Sequence, residues 1–85
     1  MYRVELRPRA QRYLRKLEKK DFHAIIAAID ALSNIPRPGG MEKVIDTGLW
    51  RIRRGDYRII YHIDDKQQIV TIVRVGHRRE IYQEL

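Results

Sequence analysis

The sequence contains no cysteine, which excludes disulfide staples and thiolate metal centres and leaves stability to packing or to a bound partner. No apolar run approaches the ~20 residues needed to span a bilayer. The opening Met1-Tyr2-Arg3-Val4-Glu5 enters an alternating pattern at once, without the apolar stretch of a signal peptide, so the expected location is the cytoplasm. Only three histidines are present, His23, His62 and His77, and they are not spaced as a ligand set. Asp64-Asp65 reads as hairpin-turn chemistry with no partner cluster, so neither a metal nor another cofactor is expected. Helix breakers gather in one place, Pro36-Arg37-Pro38-Gly39-Gly40, a cluster too short to separate domains. Residues 1–85 are therefore expected to form a single domain with one thin core, without repeats or low-complexity segments.

Acidic side chains are also in short supply: 11 Asp and Glu stand against 18 Lys and Arg, giving a formal charge of +7 and a pI near 10.1. Arginine dominates the basic side, and its planar fork grips phosphate through two parallel hydrogen bonds. A polyanionic partner is the reading this balance favours, against the plainer one of a solvated basic surface.

Tyr2, Val4 and Leu6 alternate with Arg3, Glu5 and Arg7, the pattern of a half-buried strand that Pro8 ends. Ala10, Tyr13, Leu14 and Leu17 then form one helical stripe, with Arg9, Arg12, Lys16 and Lys19 opposite. Asp21 is expected to cap a second helix, whose Phe22, Ile25, Ile26, Ile29 and Leu32 repeat the stripe until Asn34-Ile35-Pro36. Beyond the breaker cluster, Leu49 to Arg54, Tyr57 to Asp64 and Gln68 to Val75 read as strands joined by antiparallel hairpins, and Arg78 to Leu85 as a short terminal helix. The expected class is α+β: an N-terminal strand, an αα-hairpin, a three-stranded antiparallel meander and a short C-terminal helix.

Two positions apart on one strand, Arg51 and Arg53 must share a face, with Trp50 and Ile52 on the other. Arg58 follows the turn and is placed to sit across from them, so that one hairpin face presents guanidiniums suited to phosphate. Strand-borne charges are equally at home on a solvated sheet face. After the last strand, His77 is a group able to titrate near neutral pH, Arg78 a cation able to neutralise developing charge, and Tyr82 a ring able to orient a reactant or stack on a base. Without further context His77 reads as well as a surface polar residue, and Tyr82 as a staple to the core.

The string from Leu49 to Tyr61, LWRIRRGDYRIIY, followed by Val75-Gly76-His77-Arg78-Arg79-Glu80-Ile81-Tyr82, resembles the RelE-type toxins of the RelE/ParE superfamily, and the order of elements resembles theirs over nearly the whole chain. The resemblance implies a RelE-like microbial ribonuclease fold. It further implies a toxin of a type II toxin–antitoxin system, a metal-independent endoribonuclease (an mRNA interferase) that cuts messenger RNA in the ribosomal A site, against 16S rRNA, and so inhibits translation. Attack by the 2′-hydroxyl on the adjacent phosphate would leave a 2′,3′-cyclic phosphate and a 5′-hydroxyl. Carried over by position, the site is Arg51, Arg53, Arg58, Arg78 and Tyr82, with a cognate antitoxin as protein partner. Well-known members have lysines where Arg51 and Arg53 stand, one of them proposed as the general base. A guanidinium stays protonated and does that job poorly. A related branch has a histidine near this end, so His77 is the leading expected proton carrier, with His62 a weaker one. Two other readings stand beside this one: a ParE-type inhibitor of DNA gyrase without nuclease activity, and a non-catalytic nucleic-acid-binding module. The module reading is weakened by the lack of the Gly/aromatic signature of an RNA-recognition strand and of helix-turn-helix spacing.

Overall fold

The computed structural model describes residues 1–81. Strand β1 (Arg3–Leu6) leads through extended Arg7 into helix α1 (Pro8–Arg15), where proline suits the first position because its missing N–H would have no intrahelical partner there. Helix α2 (Lys19–Asn34) follows within a few residues, completing the expected αα-hairpin. Glu18, not Asp21, precedes its first turn, and its carbonyl accepts the N–H of Phe22 at 2.9 Å. Asp21 lies inside that turn, where a carboxylate suits the positive end of the helix dipole, and it accepts a hydrogen bond from the Tyr57 hydroxyl at 3.0 Å.

The strands β2 (Glu42–Val44), β3 (Leu49–Arg54), β4 (Tyr57–Asp64) and β5 (Ile69–His77) complete a five-stranded sheet in the order β1-β5-β4-β3-β2. β1 runs parallel to β5 and every other pairing is antiparallel. The meander of β3, β4 and β5 has the expected course, while β2 adds an edge strand that the sequence did not announce. Gly55 turns the β3–β4 corner with φ 58°, a left-handed conformation that tight hairpin turns demand. Between β4 and β5 the register slips once: Ile60 faces Arg74, but Tyr61 faces Ile72, so Val73 is passed over. Arg78 to Ile81 form turns, and the remainder of the expected terminal helix lies outside the described residues.

Both helices cover one face of the sheet. Ala10, Leu14, Ile25, Ala28, Ile29 and Leu32 pack there against Ile52, Ile59, Tyr61, Val70, Ile72 and Val75, all buried. Each large aliphatic side chain so buried contributes about 1.5–3 kcal/mol, which makes this thin layer the main source of stability. β1 ends opposite Ile72, and α1 packs against β5. At the other end Arg37 grips Asp65 with two hydrogen bonds, 2.9 and 2.8 Å, and Tyr2 donates to the same carboxylate at 2.6 Å. These bonds hold Asp65 well below the usual carboxylate range, at about 2, with Arg37 the larger cause and Tyr2 the next. Nearby, Tyr61 donates its hydroxyl to the Pro36 carbonyl at 3.0 Å, and burial pushes its phenol up to about 12. The breaker segment is thereby tied to both the core and the β4–β5 turn. Among the described residues no helix is long and apolar enough to cross a membrane.

Candidate active site

The face of the sheet turned away from the helices is where the arginines gather. Arg51 pairs with Ile60 and Arg53 with Arg58, so strand alternation puts Arg51, Arg53 and Arg58 on one face together. Arg53 and Arg58 stand directly opposite each other, an arrangement that destabilises a sheet when nothing lies between the like charges. Arg58 is 9% exposed and donates to the backbone carbonyls of Tyr57 and Gly55 at 3.1 and 3.4 Å. Among the described residues no carboxylate pairs with it. Carbonyl acceptors satisfy the hydrogen bonds of a nearly buried guanidinium without the opposite charge that an anion docking against it would supply.

Glu42 enters the same face from β2, directly opposite Arg51. Its carboxylate lies 3.1 Å from the Arg51 guanidinium and 3.7 Å from that of Arg53. Arg78 joins from the far side of the turn: its N–H donates to the Asp56 carbonyl at 2.7 Å, and its side chain lies 3.8 Å from the Asp56 carboxylate. Arg58 and Arg78 are thus both moored to the Gly55-Asp56 corner. Tyr82 lies outside the described residues.

The turn that carries Arg78 folds back over the sheet and is held from several sides. Arg74 donates to the Ile81 and Glu80 carbonyls at 2.7 and 3.3 Å. From α1, the Tyr13 hydroxyl accepts the His77 N–H at 3.0 Å and donates to Glu80 at 3.3 Å. Burial chiefly, then the Glu80 charge, raises the Tyr13 phenol above its usual range, so it stays a neutral hydroxyl at physiological pH. Burial also lowers the Arg74 guanidinium somewhat, with the nearby charge of Arg9 adding to the effect. Ile81 is fully buried, and a Cβ placed on Gly76 would come within 2.9 Å of its terminal methyl. Only glycine lets the turn lie this close. Between α1 and the turn runs a polar groove of about 340 Å³ whose basic residues are Arg9, Arg12, Lys16 and Arg74.

His77 is placed differently from the arginines. It pairs with Tyr57 while Gly76 pairs with Arg58, so its side chain belongs to the helix-facing side of the sheet. Its ring meets that of Tyr57 edge-on at 5.9 Å, and its Nδ1 accepts the Arg79 N–H at 3.3 Å. His62 does share the Arg58 face, but four residues along β4, about 13 Å at strand rise. Among the described residues no cluster of three or more His, Cys, Asp or Glu could hold a metal ion. Sequence reasoning missed Glu42, Arg74 and Tyr13. Glu42 needs the unannounced β2 pairing to reach the site, and the other two act through a turn whose path no local pattern reveals.

This architecture has known counterparts. The family model described as the ParE toxin of the type II toxin–antitoxin system parDE matches residues 4–82. Toxin RelG of Mycobacterium tuberculosis is 38% identical over 84 residues, spanning 96% of this chain and 97% of its own. The chain belongs to the RelE/ParE superfamily of type II toxin–antitoxin toxins. Toxin RelE of the same organism is 33% identical, over 96% of this superfamily member and 87% of its own length. Among solved structures, the toxin–antitoxin complex RelBE2 of M. tuberculosis aligns with a TM-score of 0.80 at 34% identity, covering 91% of this chain and 98% of that one. The archaeal RelE–RelB complex of Pyrococcus horikoshii gives 0.82 at 29%, covering 93% and 97%.

Proposed function

We propose that this superfamily member is a ribosome-dependent endoribonuclease that cuts messenger RNA without a metal, the 2′-hydroxyl attacking the adjacent phosphate. The observation that carries the reading is the Arg53–Arg58 pair: two guanidiniums on facing positions, one of them nearly buried and, among the described residues, without a carboxylate. A phosphate between them would turn a repulsion into two charge-assisted hydrogen bonds. Arg51, Arg53, Arg58 and Arg78 would stabilise the charge that builds on the phosphorane, where losing one such donor typically costs about 3–4 kcal/mol. Tyr82 would orient the nucleotide. His77 has no part in proton transfer on this reading, because its ring stands on the other side of the sheet. The two solved relatives described above are complexes of a toxin with its partner, and by analogy a cognate antitoxin would cover the basic face of this chain between episodes of activity. The reading also places the protein in the cytoplasm, where ribosomes are.

Purified protein added to ribosomes programmed with a defined message should yield fragments ending in 2′,3′-cyclic phosphate and beginning with 5′-hydroxyl. The cleavage should survive replacement of magnesium by polyamine on preassembled complexes. Intact message, or a strict requirement for an added transition metal, would sink the proposal. A second reading is favoured by one observation, that the matching family model is described by its ParE members. If the scaffold serves as a gyrase poison, the same preparation will block DNA supercoiling and leave message intact.

A further inference from the structure

We propose that Glu42 is the general base of the reaction, a role that rests on the nuclease reading above and supplies the proton acceptor its arginines lack. Arg51 and Arg53 carry guanidiniums, which donate hydrogen bonds and have no acceptor to offer, and His77 lies across the sheet. Among the described residues, Glu42 is a carboxylate in ionic contact with both strand arginines, 3.1 Å from Arg51 and 3.7 Å from Arg53. Its place is set by the backbone, since Glu42 and Arg51 are cross-strand partners and must share a face. With its side chain 48% exposed, it is open to a nucleotide laid along the arginines.

In the free protein the carboxylate occupies the position a phosphate would take between the two guanidiniums. A docking phosphate draws those guanidiniums to itself. Their turning toward the phosphate frees the Glu42 carboxylate oxygens, which then lie open to accept a hydrogen bond from the 2′-hydroxyl of the same nucleotide. The 2′-hydroxyl then gives its proton to a Glu42 carboxylate oxygen while the 2′ oxygen bonds to phosphorus. The bond from phosphorus to the 5′ oxygen breaks, and that oxygen takes a proton from water. Glu42 afterwards returns its proton to solvent, and no oxidant or reductant is involved.

The test is single-turnover cleavage of ribosome-bound message by wild type, Glu42→Gln, Glu42→Ala and His62→Ala, with RNA affinity measured in parallel. Glu42→Gln keeps the size and the β2 pairing, and circular dichroism verifies that it folds. The expected result is a loss of about 10²–10⁴-fold in the chemical rate at saturating RNA. RNA binding should be unchanged or tighter, and added formate should partly restore Glu42→Ala. His62→Ala should stay close to wild type. Should Glu42→Gln cleave as fast as wild type or faster, with tighter RNA binding, the carboxylate is only an internal stand-in for phosphate and the proposal falls. It falls equally if His62→Ala carries the loss instead. Failure of the wild type itself to cleave rejects the nuclease reading, an outcome distinct from either.

Discussion

At the scale of single residues the site sets stability against activity. Arg53 is more than half exposed and faces Arg58, so its removal relieves a like-charge pair while deleting a contact to Glu42 that an exposed ion pair of this length makes worth little. Arg53→Ala is therefore expected to leave urea stability within about 0.5 kcal/mol of wild type, or slightly above it. On the nuclease reading the same variant should cleave ribosome-bound message about 10²–10³-fold more slowly, the range seen when one preorganised donor is lost. Equal losses of stability and activity would mean that the residue serves the fold alone. His77→Ala is expected to retain cleavage within tenfold of wild type, short of the about 10²–10⁴-fold contribution of a general acid or base. A larger fall, with wild-type folding and RNA affinity retained, would put histidine back into the mechanism.

At the scale of elements, two devices fasten the parts that propensity leaves loose. Arg37 and Tyr2 lower Asp65 to about 2 in the folded state from 3.8, so the linkage has a definite sign. A carboxyl whose pKa is depressed by folding stabilises above its unfolded value and loses that contribution as pH falls through the folded one. The unfolding midpoint of wild type should exceed that of Asp65→Asn at neutral pH, and the two should converge between about pH 4 and pH 2. A gap that persists at pH 2 would show that the clamp acts through packing instead of charge. The second device is Gly76, against which Ile81 seats the terminal turn. Gly76→Ala should cost about 1 kcal/mol, at the low end for overpacking because the nearest atom ends a flexible side chain, and should open the turn to limited proteolysis. Elements of this kind were unevenly legible in the sequence. The strand-like runs Leu49 to Arg54 and Tyr57 to Asp64 marked β3 and β4 to the residue, and the apolar stripe marked α2 up to its end at Asn34, though not its start, which lies at Lys19, ahead of the expected cap. β2 was silent, since Glu42-Lys43-Val44 is short and bordered by Gly40 and Asp46, both with positive φ. The sharing of a face by Arg51 and Arg53 followed from parity alone. The separation of His77 from them did not, because it depends on how β5 is aligned against β4.

At the scale of the whole molecule, two basic surfaces stand within a net charge of +7: the arginine face of β3 and β4, and the groove between α1 and the terminal turn. A protein that neutralises phosphates releases their counterions, so the salt dependence of binding counts the contacts directly. On single-stranded RNA each phosphate neutralised contributes about −0.7 to the slope of log affinity against log salt. If Arg51, Arg53, Arg58 and Arg78 all engage the backbone, the slope for a short RNA oligonucleotide should be about −3, read by fluorescence anisotropy between low and physiological salt. Substituting Arg51 and Arg53 together by Ala should make it shallower by about 1.4. Substituting Arg12 and Lys16, whose charges line the groove instead, separates the local site from the overall field. An oligonucleotide confined to the sheet face will keep its slope and lose only association rate, because distant charges steer encounters without forming contacts. One that also crosses α1 will lose slope in proportion to the charges removed. A slope unchanged by the Arg51 and Arg53 substitutions but reduced by those at Arg12 and Lys16 would move RNA binding to the groove and leave the arginine face without its proposed substrate.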